Sequence, residues 1–163
     1  MARTELRDGT EVHTVGDLPA VGSRAPEFTL TGQDLSDVSR PAGRVVLNIF
    51  PSLDTATCAT SVRRFNQIAA GLDGTTVVCA SMDLPYAMRR FCAAEGIDRV
   101  VVGSGFRSTF GTDFGVLMTD GAMRGLYARS VVVLDADGTV LHTQVVPMIG
   151  DEPDYDGAIA ALG

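Results

Sequence analysis

No apolar run in the 163-residue sequence approaches the ~20 residues that a membrane-spanning helix needs. The opening residues, Met1 to Gly9, lack the apolar stretch of a secretion signal, so a cytoplasmic location is expected. Basic charge is scarce too. Thirteen arginine and lysine residues stand against 20 aspartate and glutamate, a net charge of -7, which argues against a phosphate-binding surface and hence against a nucleic-acid partner. The acidic surplus reads as a surface that keeps the protein soluble. There is no internal repeat and no low-complexity segment. With 45% hydrophobic and 20% charged residues, the expectation is a single domain over residues 1–163 with a real core.

Several site patterns are missing as well. No Cys-x-x-Cys pair occurs, which disfavours a thiol-disulfide oxidoreductase built on that motif. His13 and His142 have no second histidine or cysteine at metal-ligand spacing. Asp135 to Gly138 lacks the remaining ligands of a calcium loop, and Gly103 and Gly105 do not follow the dinucleotide fingerprint. No metal and no organic cofactor is therefore expected. What remains is an odd set of three cysteines, Cys58, Cys79 and Cys92. Without a secretion signal they suit reactive or buried thiols better than a disulfide framework.

Apolar patterning sets out the elements. Thr4 to Arg7 and Thr10 to Val15 flank Asp8-Gly9 and read as a hairpin, within an N-terminal annex of about residues 1–16. Pro26 to Thr31 is a short alternating strand, followed by a polar loop with Asp34, Ser36 and Asp37. Val45 to Phe50 is almost continuously apolar, as in a strand buried on both faces, and Pro51 ends it. Val62, Phe65, Ala69 and Leu72 share one face of a helix running from about Cys58 and stopped by Gly71 to Gly74. A second apolar strand spans Thr75 to Met82. Asp83-Leu84-Pro85 then opens a helix, with Asp83 as its N-cap and Gly96 as its stop. Arg99 to Val102 is a third strand, and Gly103 to Gly125 mixes loop and short helix. Ser130 to Leu134 and Thr139 to Val146 form a hairpin about Asp135 to Gly138, and Pro153 to Leu162 is a closing helix with Asp154 in its first turn. This order predicts an α/β protein with a mixed central β-sheet flanked by helices, in a thioredoxin-like arrangement.

The richest segment is Pro51-Ser52-Leu53-Asp54-Thr55-Ala56-Thr57-Cys58, between a buried strand and an amphipathic helix. A cysteine in a first helical turn faces unpaired backbone N–H groups and the positive end of the helix dipole, which favour thiolate over thiol. Thr55, three residues earlier, places a hydroxyl within reach of that sulfur. Pro51 can shield the spot from bulk water. The plain alternative is a small buried residue, common for unpaired cysteine. Cys79, inside Val77-Val78-Cys79-Ala80, takes that plain reading.

Pro51, Thr55 and Cys58, in the order Pro-x-x-x-Thr-x-x-Cys, match the active-site motif of the peroxiredoxins. From about Gly22 almost to the C-terminus the chain resembles the bacterial thiol peroxidase subfamily. The resemblance runs through Val46 to Ser52, Ser61 to Asn66, Asp83-Leu84-Pro85, Arg90-Phe91-Cys92 with Ala94-Glu95-Gly96, and Glu152 to Tyr155. It implies a thioredoxin-like fold with an added N-terminal β-hairpin, and a peroxidatic cysteine at Cys58. It further implies a catalytic arginine at Arg129, which the residues alone would read as a surface arginine at a strand end. Arg63 and Arg64 are secondary electrostatic candidates that read more simply as solvated helix charges.

The same resemblance implies that Cys92 is the resolving cysteine of an intramolecular disulfide, reduced in turn by thioredoxin, and that the protein is a homodimer. Hydrogen peroxide and organic hydroperoxides are the implied substrates, with Phe50 and residues of the Gly103 to Leu126 region as apolar neighbours. Two cysteines on separate helices need a Cα separation of roughly 4.4–6.8 Å to bond, so local unwinding near both is expected. A non-enzymatic alternative is a thiol-based redox sensor on the same fold.

Overall fold

A computed structural model describes residues 1–163. A seven-stranded mixed sheet forms its centre, built from β3 (Thr29–Thr31), β4 (Asp37–Ser39), β5 (Arg44–Ile49), β6 (Thr75–Ser81), β7 (Val101–Ser104), β8 (Ser130–Leu134) and β9 (Val140–Val145). Their order is β4-β3-β7-β6-β5-β8-β9. β5, β6 and β7 run parallel to one another, while β8 and β9 extend the sheet antiparallel on one side and β3 and β4 on the other. The continuous apolar runs of the middle strands follow from this placement, because a strand covered on both faces has no solvent side to make polar. Alternation then sorts each run between two cores. Val46, Val77, Cys79, Val131 and Val133 face one cluster, and Val45, Leu47, Ile49, Val78 and Val132 face the other.

The first cluster lies under α1 (Ala56–Ala69), α2 (Pro85–Glu95) and α4 (Tyr155–Ala160). Val62 and Phe65 supply the buried stripe of α1, as the 3.6-residue period requires, and burying a phenylalanine of this kind contributes about 1.5–3 kcal/mol. The second cluster has little helix over it. It is closed by Phe28, Phe110, Phe114 and Tyr127, with the short α3 (Phe110–Asp113) as the main helical piece of the glycine-rich stretch. Gly105 and Gly111 press against the Tyr127 ring, where any Cβ would collide with it. The glycines there make room for a buried aromatic residue.

Several details differ from the sequence reading, among them β7, which lies two residues later than the strand expected at Arg99 to Val102. α1 starts at Ala56 rather than at Cys58, because Thr55 caps it. The loop expected at Asp37 is instead the edge strand β4, whose three residues carry no continuous apolar pattern. Asp83 does not cap α2. Leu84 occupies the N-cap without a side-chain bond, and Asp83 turns back to the loop after β5. Gly96 does end α2, in the left-handed conformation at φ 65° that glycine adopts without a Cβ penalty. At the last helix, Asp154 is the N-cap and accepts from the Gly157 N–H.

The N-terminal hairpin pairs β1 (Arg3–Glu5) with β2 (Glu11–His13) about Gly9, whose φ of 85° suits its turn. It is docked along the segment that follows β9. The Glu5 N–H donates to Pro147 O at 2.8 Å, Ile149 N–H donates to Glu5 O at 2.9 Å, and the Thr4 hydroxyl donates to Val146 O at 2.8 Å. On the other side His13 is held by Asp120, through its N–H to Oδ1 and its ring Nδ1 to Oδ2, both 2.7 Å. These bonds bring Leu6 and Arg7 to the end of the sheet where α1 begins.

Candidate active site

The strand-to-helix turn after β5 is fixed before any chemistry is considered. Asp83, just beyond β6, accepts from the Ser52 hydroxyl at 2.8 Å, the Leu53 N–H at 2.8 Å and the Ser81 hydroxyl at 2.6 Å. One carboxylate thereby ties the loop to the neighbouring strand end. Thr55 then caps α1 by accepting from the Cys58 N–H at 3.2 Å, while its own hydroxyl donates to Ser52 O at 3.2 Å. The hydroxyl sits beside the cysteine backbone, as the spacing predicts, but in this state it is engaged with the helix and the loop, not with the sulfur.

Cys58 is fully buried in the third position of α1. Arg129, one residue before β8, lies against it with 2% exposure, and its Nη2 donates to Cys58 Sγ at 3.2 Å. Its Nε donates to Ile149 O at 2.9 Å, which fixes the plane of the guanidinium, and its buried Nη1 has no partner. A guanidinium holds its proton at any working pH, so this cation is permanent. The family resemblance located it; a surface arginine at a strand end, the plain reading, is not what the fold contains.

A cavity of about 350 Å3 lies against Arg129 and the residues just before Cys58, whose own sulfur is covered in this state. Pro51, Thr55 and Arg129 line it together with Leu6, Arg7, Met123, Ile149 and Gly150. Pro51, Thr55, Cys58 and Arg129 therefore converge as the motif implies. Phe50 does not join the cavity wall. It points into the first core cluster and is fully buried there, because alternation along β5 sends it to the helix face. Its place as apolar neighbour is taken by Leu6, Met123 and Ile149. Leu6, Arg7, Ile149 and Gly150 were invisible to sequence reasoning, since only the docking of the hairpin on the segment after β9 brings them here.

Cys92 lies inside α2 with 5% exposure and belongs to the same apolar cluster as Cys58. All three cysteines are free thiols. Burial pushes Cys92 up to about 11 from the ordinary 9.0, so in this state it is held as a thiol. Cys79 is buried in β6, where burial pushes it up to about 12, opposed by the Asn48 amide, which donates to Cys79 Sγ at 3.7 Å. Its expected structural burial is what the fold contains. Arg63 pairs with Glu95 at 3.3 Å and Arg64 lies over the Tyr155 ring, so neither reaches the site.

A permanent cation bonded to a buried helix-start cysteine, beside a small cavity on a thioredoxin-like sheet, defines a thiol-based redox enzyme. The sequence pattern of the family described as Redoxin matches residues 20–159. The thiol peroxidase of Mycobacterium tuberculosis is 55% identical over 100% of this chain and 99% of its own, and that of Corynebacterium glutamicum 52% identical over 99% of each. Among solved structures, a peroxiredoxin-like protein from Aquifex aeolicus superposes with a TM-score of 0.93 at 39% identity, covering 98% of this chain and 95% of that one. A thiol peroxidase from Chromobacterium violaceum, at 20% identity and a TM-score of 0.90 over 99% of this chain and 95% of that one, shares the fold. The chain belongs to the redoxin family, as a peroxiredoxin-type enzyme of the thiol peroxidase branch.

Proposed function

We propose that Cys58 is the peroxidatic cysteine of a thioredoxin-dependent peroxidase that reduces hydrogen peroxide and organic hydroperoxides. The observation that carries this reading is the buried Arg129 guanidinium, bonded to Cys58 Sγ through Nη2 and forming part of the wall of a cavity able to hold a hydroperoxide. The sulfur of Cys58 attacks the terminal oxygen of R–O–O–H. The O–O bond breaks, the electron pair goes to the R–O oxygen, and that oxygen leaves as R–OH after taking a proton. Sulfur is oxidised to the sulfenic acid while the peroxide is reduced. Arg129 stabilises the charge that develops on the two oxygens. Thr55 holds the start of α1 in register and offers its oxygen beside the reacting atoms, and Pro51 limits water.

In the second step the Cys92 thiol displaces hydroxide from the Cys58 sulfenic acid, giving an intramolecular disulfide and water. Thioredoxin, a dithiol, then reduces the bond and is itself oxidised. Cys92 in its buried, protonated state is a poor nucleophile. Resolution accordingly needs the C-terminal part of α2 to unwind, which exposes Cys92 and returns its thiol toward the ordinary range. A cytoplasmic homodimer is the assembly that goes with this reading.

Peroxide consumption with thioredoxin, its reductase and NADPH tests it. Cys92→Ser is expected to consume one equivalent of peroxide per chain and then to lose thioredoxin-linked turnover. An unchanged steady state in Cys92→Ser removes Cys92 from the resolving role. Failure of the wild type to sustain more than a few cycles favours a redox sensor.

A further inference from the structure

The charge on the cavity wall is all of one sign. In a chain with a net charge of -7, the residues lining the cavity beside Arg129 include two arginines and no carboxylate. Arg129, at the sulfur, is accounted for by the chemistry. Arg7 is not. It reaches the cavity from the turn of the N-terminal hairpin, is exposed, and has no acidic partner within 4.0 Å; Arg24, Arg64, Arg89, Arg90, Arg107 and Arg124 also lack one, but Arg7 is the one that lines the cavity with Arg129.

Arg7 is also held in place. Its Nη2 donates to the Thr57 hydroxyl at 3.4 Å, and that hydroxyl donates to Gly150 O at 2.9 Å. The Arg7 side chain lies across Gly150 so closely that a Cβ there would come within 2.9 Å of Nε. Gly150 has no left-handed backbone, and a side chain there would push the arginine aside. Leu6, Met123 and Ile149 supply an apolar part of the same wall.

We infer that Arg7 is a specificity-determining residue that selects hydroperoxides bearing a carboxylate on an apolar scaffold, with the carboxylate at Arg7 and the O–O group at Arg129. This rests on the assignment of Cys58 and its cavity to the peroxide. The apolar wall accepts the hydrocarbon, and the solvent-facing guanidinium accepts an anion in its planar fork. An exposed pairing of this kind is worth a factor of ~2–5 in affinity.

Matched substrates test it: cumene hydroperoxide and its para-carboxylate analogue, of near-identical shape, in stopped-flow oxidation of the reduced enzyme at low ionic strength. Wild type is expected to favour the carboxylate ~2–5-fold, a preference that disappears at about 1 M salt. Arg7→Gln is expected to bring the ratio to about one, and Arg7→Lys to keep part of it, because the charge remains but the fork is lost. Arg124→Gln, which removes the same charge from an exposed arginine outside the cavity, is expected to leave the ratio at the wild-type value. Equal rates for both substrates in wild type, or a preference that survives in Arg7→Gln, overturns the inference. Loss of oxidation of both substrates in wild type would instead overturn the assignment of the cavity to the peroxide.

Discussion

Arg129 commits Nε to the Ile149 carbonyl and Nη2 to the Cys58 sulfur, and its Nη1 is buried without a partner. Three directional N–H groups on one plane cannot be reproduced by a lysine, whose ammonium is a point charge. Arg129→Met is expected to slow single-turnover oxidation of Cys58 by ~10²–10³-fold, the usual effect of removing a preorganised donor from developing charge, and Arg129→Lys to recover only part of it. Stopped-flow fluorescence on protein whose fold has been checked by thermal unfolding measures this, and wild-type rates in Arg129→Met would contradict the role. Cys58 and Thr55 were legible in the sequence because their relation is local: a cap and the N–H three residues on need only α1 to form. Arg129 is 71 positions from Cys58, and its burial depends on the pairing of β5 with β8. No local pattern encodes that, and only family resemblance pointed to it.

At the scale of elements, α2 is the one whose rigidity and function conflict. Its C-terminus is closed by the Gly96 and Ile97 N–H groups, both bonded to the Cys92 carbonyl, so the cap that ends the helix also holds the proposed resolving residue. An added Cβ at Gly96 would meet no atom within 4 Å, which leaves only backbone strain at φ 65° as its cost, about 1–2 kcal/mol. Gly96→Ala is therefore expected to loosen the last turn and to speed Cys58–Cys92 disulfide formation by up to ~5-fold if ~1 kcal/mol of that strain falls on the opening step. Rapid-quench thiol alkylation after one equivalent of peroxide measures it. Lower stability with an unchanged rate would mean that resolution does not pass through unwinding of α2. The extents of α1, α2, β5, β6 and the β8–β9 hairpin were readable because burial on both faces or a helical stripe leaves a strong pattern. β4 was not, since a three-residue edge strand with one half-buried valine leaves almost none. Asp83 was misassigned because an aspartate just before Leu-Pro has the composition of a cap, and only tertiary structure offers it the Ser52, Leu53 and Ser81 donors.

The whole molecule carries two thiols that folding keeps protonated. Burial raises Cys92 from 9.0 to about 11 and Cys79 from 9.0 to about 12. The unfolded chain releases these protons first as pH rises, so the stability they contribute is complete below about pH 9 and is lost progressively toward pH 11–12. Tyr127, raised by burial from 10.0 to about 12, acts in the same direction. Urea midpoints of the reduced protein should fall through this window, and Cys79→Ala should flatten the fall even if packing loss lowers the whole curve. Parallel curves for wild type and Cys79→Ala would show that Cys79 is not kept protonated by the fold. The N-terminal hairpin belongs to this scale as well. Its turn was readable from Asp8-Gly9, but its docking beside residues 146–149, which delivers Leu6 and Arg7 to the cavity, is a long-range outcome.

The central assignment is attack by Cys58, and mass spectrometry of Cys92→Ser after one equivalent of hydroperoxide, with a sulfenic-acid trap present, tests it most directly. The expected result is one trapped label per chain on the peptide containing Cys58, and none in Cys58→Ser. A label on Cys79, or peroxide consumption by Cys58→Ser at the wild-type rate, would contradict it.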